Sequence, residues 1–282
     1  MAVSGTRLAR ALTVAGSDSG GGAGIQADLK TFQELDVYGM SAITAVTVQN
    51  TLGVSGVYPL PAQAAAEQIR SVAEDLGVDA VKTGMLFDAE IIHAVAAEFK
   101  SQGMKRIVVD PVMIAKGGAA LLQSDAVKEL REVLLPLAAV VTPNLPEAEV
   151  LAGMPIHSSR DRREAAVRIS DLGPGLVIIK GGHGHEALDS GPGEQQVVDL
   201  LYDGQHFTEL SYPRIQTPHT HGTGCTFSAA LTAGLAKGLP GIEAAALARR
   251  FIQAAIEDGL GLGQGHGPTN HWAYRRRQAV LG

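Results

Sequence analysis

The sequence predicts an α/β fold: a mostly parallel central sheet, helices on both of its faces and an antiparallel hairpin at one edge. Three observations predict it. Short β-branched runs recur along the chain, segments of helical period separate them, and many of the 34 glycines collect where a run gives way to a helix. The runs are Leu12 to Ala15, Ile43 to Val48, Ala80 to Thr83, Ile107 to Asp110, Ala139 to Thr142 and Leu176 to Lys180. Each is apolar on both faces, as a strand covered from both sides must be. Ile25, Leu29, Phe32 and Leu35 share one helical face, and Ala89 to Phe99, Ser124 to Leu135 and Arg160 to Leu172 repeat the pattern. Asp203-Gly204 between two β-rich runs breaks the alternation and predicts a two-residue hairpin at the sheet's edge. Two Ala-rich helices close the chain, about Thr223 to Ala236 and Ile242 to Gly259.

With no linker and no internal repeat, residues 1–282 read as one domain, and residues 1–9 read as a flexible tail. The chain carries 23 Lys and Arg against 29 Asp and Glu, a net charge of -6. That balance leaves no basic footprint for nucleic acid, so any phosphate must be bound locally. No apolar run approaches a membrane span, no secretory h-region precedes the first strand, and one cysteine cannot form an internal disulfide. A cytoplasmic location is expected.

Chemistry-bearing residues gather at predicted strand ends, where open α/β sheets bind ligands. In AGSDSGGGAGIQADLKTF a strand runs into a glycine cluster before a helix. The cluster suits either a flexible surface loop or a close backbone approach to a ligand, and it matches neither GxxxxGK[ST] nor GxGxxG. Asp28 within it is either an exposed first-turn charge or a group aimed into the cleft. Asp110 ends a strand that Pro111 stops. Asn144 and Glu147, three apart, either form a capping box or lend Glu147 to a cation beside Asp110. Lys180 reaches a strand end before Gly181 and Gly182, as a phosphate contact or a solvated end. The pairs His183/His185 and His219/His221 lack a third ligand pattern for zinc.

THGTGCTFSAALTAGLAKG is the most informative stretch. Gly222, Thr223 and Gly224 precede an apolar helix whose first amides are free, an arrangement that cradles anions. Cys225, in that first turn, reads either as a small buried hydrophobe or as a thiol drawn toward thiolate by the helix terminus. The Gly-Thr-Gly before it favours the second reading.

Taken in order, AGSDSGGGAGIQADLKTF, TAVTVQNTLGV, VKTGML, VVDPVM, LLPLAAVVTPNLPEAE, IIKGGH and THGTGCTFSAAL resemble the bacterial hydroxymethylpyrimidine and phosphomethylpyrimidine kinases of thiamine biosynthesis, and GQGHGPTNHW continues the resemblance weakly. The resemblance implies a ribokinase-like three-layer sandwich. It also implies a MgATP-dependent kinase acting on 4-amino-5-hydroxymethyl-2-methylpyrimidine and then on its monophosphate, as a homodimer. It assigns Gln49, Asp28, Gly16 and Met85 to the pyrimidine, Asp110, Glu147 and Asn144 to Mg²⁺, Lys180 to the nucleotide phosphates, and Gly222, Thr223, Gly224 and Cys225 to phosphoryl transfer. Cys225 stands where most relatives in the wider superfamily carry an aspartate base, and its thiolate would take the hydroxyl proton. The chain departs from the family's AGSDPSGGAG by reading AGSDSGGGAG, which predicts a more mobile loop. Pyridoxal kinase is the competing activity, and a non-catalytic pyrimidine sensor the competing class.

Overall fold

The apolar runs resolve into an eight-stranded sheet whose two faces divide each strand's side chains between two cores. A computed structural model describes residues 7–114, 121–123, 126–182 and 196–281. In chain order the strands are β1 (Arg10–Ala15), β2 (Tyr38–Ile43), β3 (Ala45–Asn50), β4 (Gly53–Pro59), β5 (Ala80–Thr83), β6 (Ile107–Val109), β7 (Val140–Val141), β8 (Leu176–Ile179), β9 (Gln196–Tyr202) and β10 (Phe207–Pro213). The helices are α1 (Gly24–Glu34), α2 (Ala62–Asp75), α3 (Ala89–Ser101), α4 (Ala126–Glu129), α5 (Leu145–Ala152), α6 (Ser159–Ser170), α7 (Thr223–Ala236), α8 (Gly241–Glu257) and α9 (Ala273–Leu281).

The large sheet has the order β10-β9-β8-β7-β6-β5-β1-β2; β3 and β4 pair separately. Strands β2, β1, β5, β6, β7 and β8 run parallel, whereas β9 runs antiparallel to both of its neighbours, β8 and β10. Leu12, Val14, Val81, Val109, Val141, Val177 and Ile179 point to one face and pack with the apolar sides of α2, α3, α5 and α6. Ala11, Ala80, Val108, Val140, Leu176 and Ile178 point to the other, against α1, α7 and α8. This division explains why the strand runs are apolar throughout. Helix α7 is buried continuously from Thr226 to Ala236, and Gly234 lets α8 approach, since a Cβ there would stand 2.9 Å from that of Ala244.

Several expectations need correction. The run Ile43 to Val48 is not one strand. The chain leaves the large sheet at Thr44, whose buried hydroxyl donates to the Met85 carbonyl (2.6 Å), and β3 then forms a hairpin with β4 that stands off the sheet. Thr44 is β-branched and apolar-flanked, so nothing local marks the break. The edge hairpin β9–β10 is present with a four-residue connection, because Asp203 Oδ1 accepts from the amides of both Gln205 and His206 and widens the turn. Helix α4 is short and continues as a π turn (Leu130–Leu134) and a 3₁₀ turn (Leu135–Leu137), where Pro136 lacks a donor. Of the expected tail, Arg7 pairs with Asp79 (2.8 Å) and the Ala9 carbonyl accepts from Tyr38, so these residues are held.

Candidate active site

The carboxyl ends of β1, β5, β6, β7 and β8 open together into a cavity of about 630 Å³, to which β3 and the N-terminus of α7 add walls. Each strand hands over at its last residue: Gly16 follows β1, Met85 lies two residues past β5, Asp110 follows β6, Asn144 begins the turn after β7, and Lys180 follows β8. All of these line the cavity, with Gln49, Glu147, Gly222, Thr223, Gly224 and Cys225.

At the β1 end, Gly16 lets the Met85 methyl lie against the backbone; a Cβ would come within 2.3 Å of Met85 Cε. The glycine-rich loop that follows is organised by Asp18. Its buried carboxylate accepts from the amides of Gly20 (2.8 Å), Gly22 (3.0 Å) and Ala23 (2.8 Å), and from His221 Nε2 (2.8 Å). His221 and these amides hold Asp18 below the usual carboxylate range against the opposing effect of burial. A more mobile loop was expected from the extra glycine; Asp18 takes up the amides such a loop would leave loose. His221 also stands 3.4 Å from the Gln49 amide. The Thr47 hydroxyl, which donates to the Ser17 carbonyl at 2.7 Å, lies 3.2 Å from the other end of that amide.

The phosphate end is built from charge. Lys180 Nζ donates to Asp110 Oδ1 (3.0 Å), which also accepts from Thr142 (3.1 Å), while Ser228 donates to Asp110 Oδ2 (3.1 Å). Lys180 holds Asp110 below its ordinary range although burial opposes it. Glu147 is buried, and desolvation with the Asp110 charge pushes it up to about 7. Asn144 and Glu147 form a reciprocal capping box, with Asn144 N to Glu147 Oε2 at 2.8 Å and Glu147 N to Asn144 Oδ1 at 2.9 Å. Asn144 therefore caps α5, which orients the Glu147 carboxyl along the cavity wall. Among the described residues, no group of three His, Cys, Asp or Glu side chains could enclose a metal. Asp110 and Glu147 on one wall suit a hard cation that keeps waters and takes phosphate oxygens.

Opposite them, Gly222 caps α7 in the left-handed region (φ 79°), and a Cβ there would fall 1.8 Å from the Gly22 carbonyl oxygen. Only glycine lets the two loops touch. A Cβ at Gly224 would meet Lys180 Nζ at 3.4 Å and Asp110 Oδ2 at 3.7 Å, which brings the cradle and the charged pair to one point.

Two expectations change here. Asp28 does not line the cavity. It is fully buried beneath it, where Oδ2 accepts from Lys82 Nζ (3.0 Å) and Thr13 (2.6 Å). Packing against β1 and β5 turned an acid one turn into α1 inward to meet a lysine 54 residues away. Cys225 is not drawn toward thiolate. Burial, reinforced by the Asp28 and Asp110 charges, pushes its thiol up to about 11, against the pull of Lys82 and the Gly24 amide. His221 serves Asp18 rather than a metal, His219 accepts from the Gly267 amide (3.2 Å), and His183 and His185 lie outside the described residues.

The roles of Asp18, Lys82 and His221 escaped sequence reasoning. Lys82 sits inside an apolar strand with no local sign of its charge partner, and the Asp18 to His221 contact spans 203 residues. The far end of the cavity, lined by Arg214, Arg249, Ile252 and Ile256, likewise carries no motif.

The phosphomethylpyrimidine kinase family profile matches residues 18–270. A hydroxymethylpyrimidine/phosphomethylpyrimidine kinase of Bacillus subtilis is 57% identical over 267 residues, 95% of this chain and 96% of that one. One from Haemophilus influenzae is 55% identical over 271 residues, 96% and 99% of the two chains. A crystal structure of an ADP complex of Bacillus subtilis pyridoxal kinase is 45% identical, with a TM-score of 0.86 over 96% of this chain and 100% of that one. The ribokinase-like fold expected from the motifs is the fold observed. With a profile spanning nearly the whole chain and relatives this similar along their full length, the chain belongs to the phosphomethylpyrimidine kinase family.

Proposed function

We propose that this protein transfers the γ-phosphoryl group of ATP to the hydroxymethyl group of 4-amino-5-hydroxymethyl-2-methylpyrimidine, and then phosphorylates the resulting monophosphate. One observation carries the reading. The Gln49 amide, suited to an aminopyrimidine edge, shares a cavity with the α7 N-terminal turn, Gly222 to Cys225, and with the Lys180 and Asp110 pair. The names of the full-length relatives support the same substrate.

Phosphoryl transfer demands little covalent help from the protein and much positioning and charge neutralisation. Gly16 and Met85 would seat the ring. Gly222, Thr223 and Gly224 amides would face the transferring group, and Lys180 would offset its charge. Mg²⁺, bound by Asp110 and Glu147 directly or through water, would neutralise phosphate charge when present. Cys225 accepts the hydroxyl proton when ionised; at about 11 the thiolate is about one part in 10⁴ at pH 7, so the cradle carries most of the catalysis there.

Pyridoxal phosphorylation is the second reading, favoured by the likeness to a pyridoxal kinase structure. ATP-dependent turnover of the aminopyrimidine and of pyridoxal, measured on one purified sample, tests both. The aminopyrimidine should have the larger kcat/KM by about tenfold or more, since a site built for its hydrogen bonds leaves groups unpaired on another ring. A larger value for pyridoxal overturns the assignment, and tight pyrimidine binding without turnover makes the protein a sensor. A homodimer is our further reading, supported by exposed Val46, Val48 and Tyr58 on the outward face of β3–β4. A cytoplasmic location rests on the single cysteine; among the described residues no helix is long and apolar enough to cross a membrane.

A further inference from the structure

The segment GQGHGPTNH, Gly263 to His271, does not line the cavity, yet it touches three separately folded parts that do. At the tip of the β3–β4 hairpin, two residues past Gln49, the Thr51 carbonyl accepts from the His266 amide (2.8 Å) and the Thr51 hydroxyl accepts from Gly265 N (3.4 Å). At the loop that opens α7, the Gly267 carbonyl accepts from His221 N (3.1 Å), Gly267 N donates to His219 Nδ1 (3.2 Å), and His266 Nδ1 lies 3.1 Å from the Pro218 carbonyl. At the glycine-rich loop, Pro268 packs so closely that a Cβ on Gly22 would stand 2.8 Å from its own.

The segment is itself anchored. Asn270 donates from its backbone to Ala255 O and from its side chain to Asp258 O, both at the end of α8 and both at 2.9 Å. Buried His271 pairs with the Thr226 hydroxyl in the first turn of α7 (3.0 Å). The contact with the hairpin is tight enough to require glycine: a Cβ on Gly265 would fall 2.2 Å from the Thr51 carbonyl oxygen and 2.7 Å from its carbon. Those are backbone atoms, so a side chain there must force the strap and the hairpin apart.

We propose that Gly263–His271 is a positioning strap, which holds the Gln49 hairpin and the Gly222–Cys225 cradle in register so that a pyrimidine alcohol seated on the first meets the phosphoryl group held by the second. The kinetic part of this inference rests on the function proposed above; the structural part does not. The hairpin stands off the large sheet, so the strap supplies a fixed link between its tip and the cradle.

Gly265→Ala in the full chain tests it, with Gly259→Ala as control, whose added methyl meets nothing nearer than 3.7 Å. Hydrogen–deuterium exchange should accelerate about tenfold in residues 45–59 and 218–226 together in Gly265→Ala and stay unchanged in the control. The kcat for the pyrimidine should fall about tenfold or more, because displacements of the reactants near 1 Å are that costly. If Gly265→Ala fails to fold, Thr51→Val, which deletes the hydroxyl and keeps the shape, should give the same pattern at about two- to threefold. Faster exchange confined to the strap, or an unchanged kcat, overturns the proposal. A wild-type protein that ignores the pyrimidine refutes the functional reading alone, and the exchange experiment still decides the strap.

Discussion

Replacing Lys82 by Met separates what a buried charge does for the fold from what it does for the site. Lys82 and Asp28 are both fully buried and 3.0 Å apart, and the Asp28 and Asp110 charges around Lys82 push its ammonium up to about 12 against desolvation. Deleting one partner of such a pair leaves an uncompensated acid, at a cost of about 3–5 kcal/mol. Against the roughly 5–15 kcal/mol that stabilises a typical protein, this is a large share, and at about 2–4 °C per kcal/mol it lowers Tm by about 10 °C. Pairing Lys82→Met with Asp28→Leu should recover most of the loss, because a hydrophobic pair of similar volume is often neutral there. Recovery should stop about 1–3 kcal/mol short, since Thr13, itself fully buried, loses the acceptor of its hydroxyl. Calorimetry at pH 7 gives the stabilities, and steady-state kinetics on the same samples give the second half of the test. Lys82 lies just behind the cavity wall, where a Cβ on Gly84 would stand 3.2 Å from its Nζ. The restabilised double variant should therefore still turn over about tenfold more slowly or worse, having lost a fixed positive charge near the reacting anions. A Lys82→Met protein within about 1 kcal/mol of wild type, or a double variant no more stable than the single, would refute the coupling.

Other outcomes follow from the same charges. With its thiol at about 11, Cys225 should react with iodoacetamide about tenfold faster for each pH unit between 7 and 10, and a plateau near pH 7 would show a thiolate instead. For the same reason Cys225→Ala should lose less than about tenfold in kcat/KM at pH 7, with the deficit widening as pH rises; an early loss of 10²-fold or more would mean an acceptor already ionised. Burial, with a smaller contribution from Lys30, pulls His271 down to about 4, so the folded protein resists protonation there while the unfolded chain accepts it near 6.5. Its contribution to stability is complete above pH 6.5 and falls away by about 3 kcal/mol as pH drops to 4. Urea midpoints from pH 7 to 4 should show that slope and His271→Gln should flatten it; identical slopes in the two proteins would remove His271 from the effect.

How much of this was legible beforehand differs by residue. The alternation of strand and helix, the positions of Asp110, Lys180 and Gly222 to Cys225 at element ends, and the limits of α7 and β5 follow from local periodicity and from glycine and proline, which act over a few residues wherever the chain goes. Glu147 could be read two ways; the structure shows the capping box and places the residue on the cavity wall. The tertiary structure alone decided that Asp28 turns inward to Lys82, that the chain leaves the sheet at Thr44, that Cys225 keeps its proton, that Asp18 finds His221, and that Gly265 rests on Thr51. Each of these depends on burial or on a charge or carbonyl brought from a distant part of the chain. Desolvation and Coulomb interaction are set by separation in space, and the order of residues does not carry that separation.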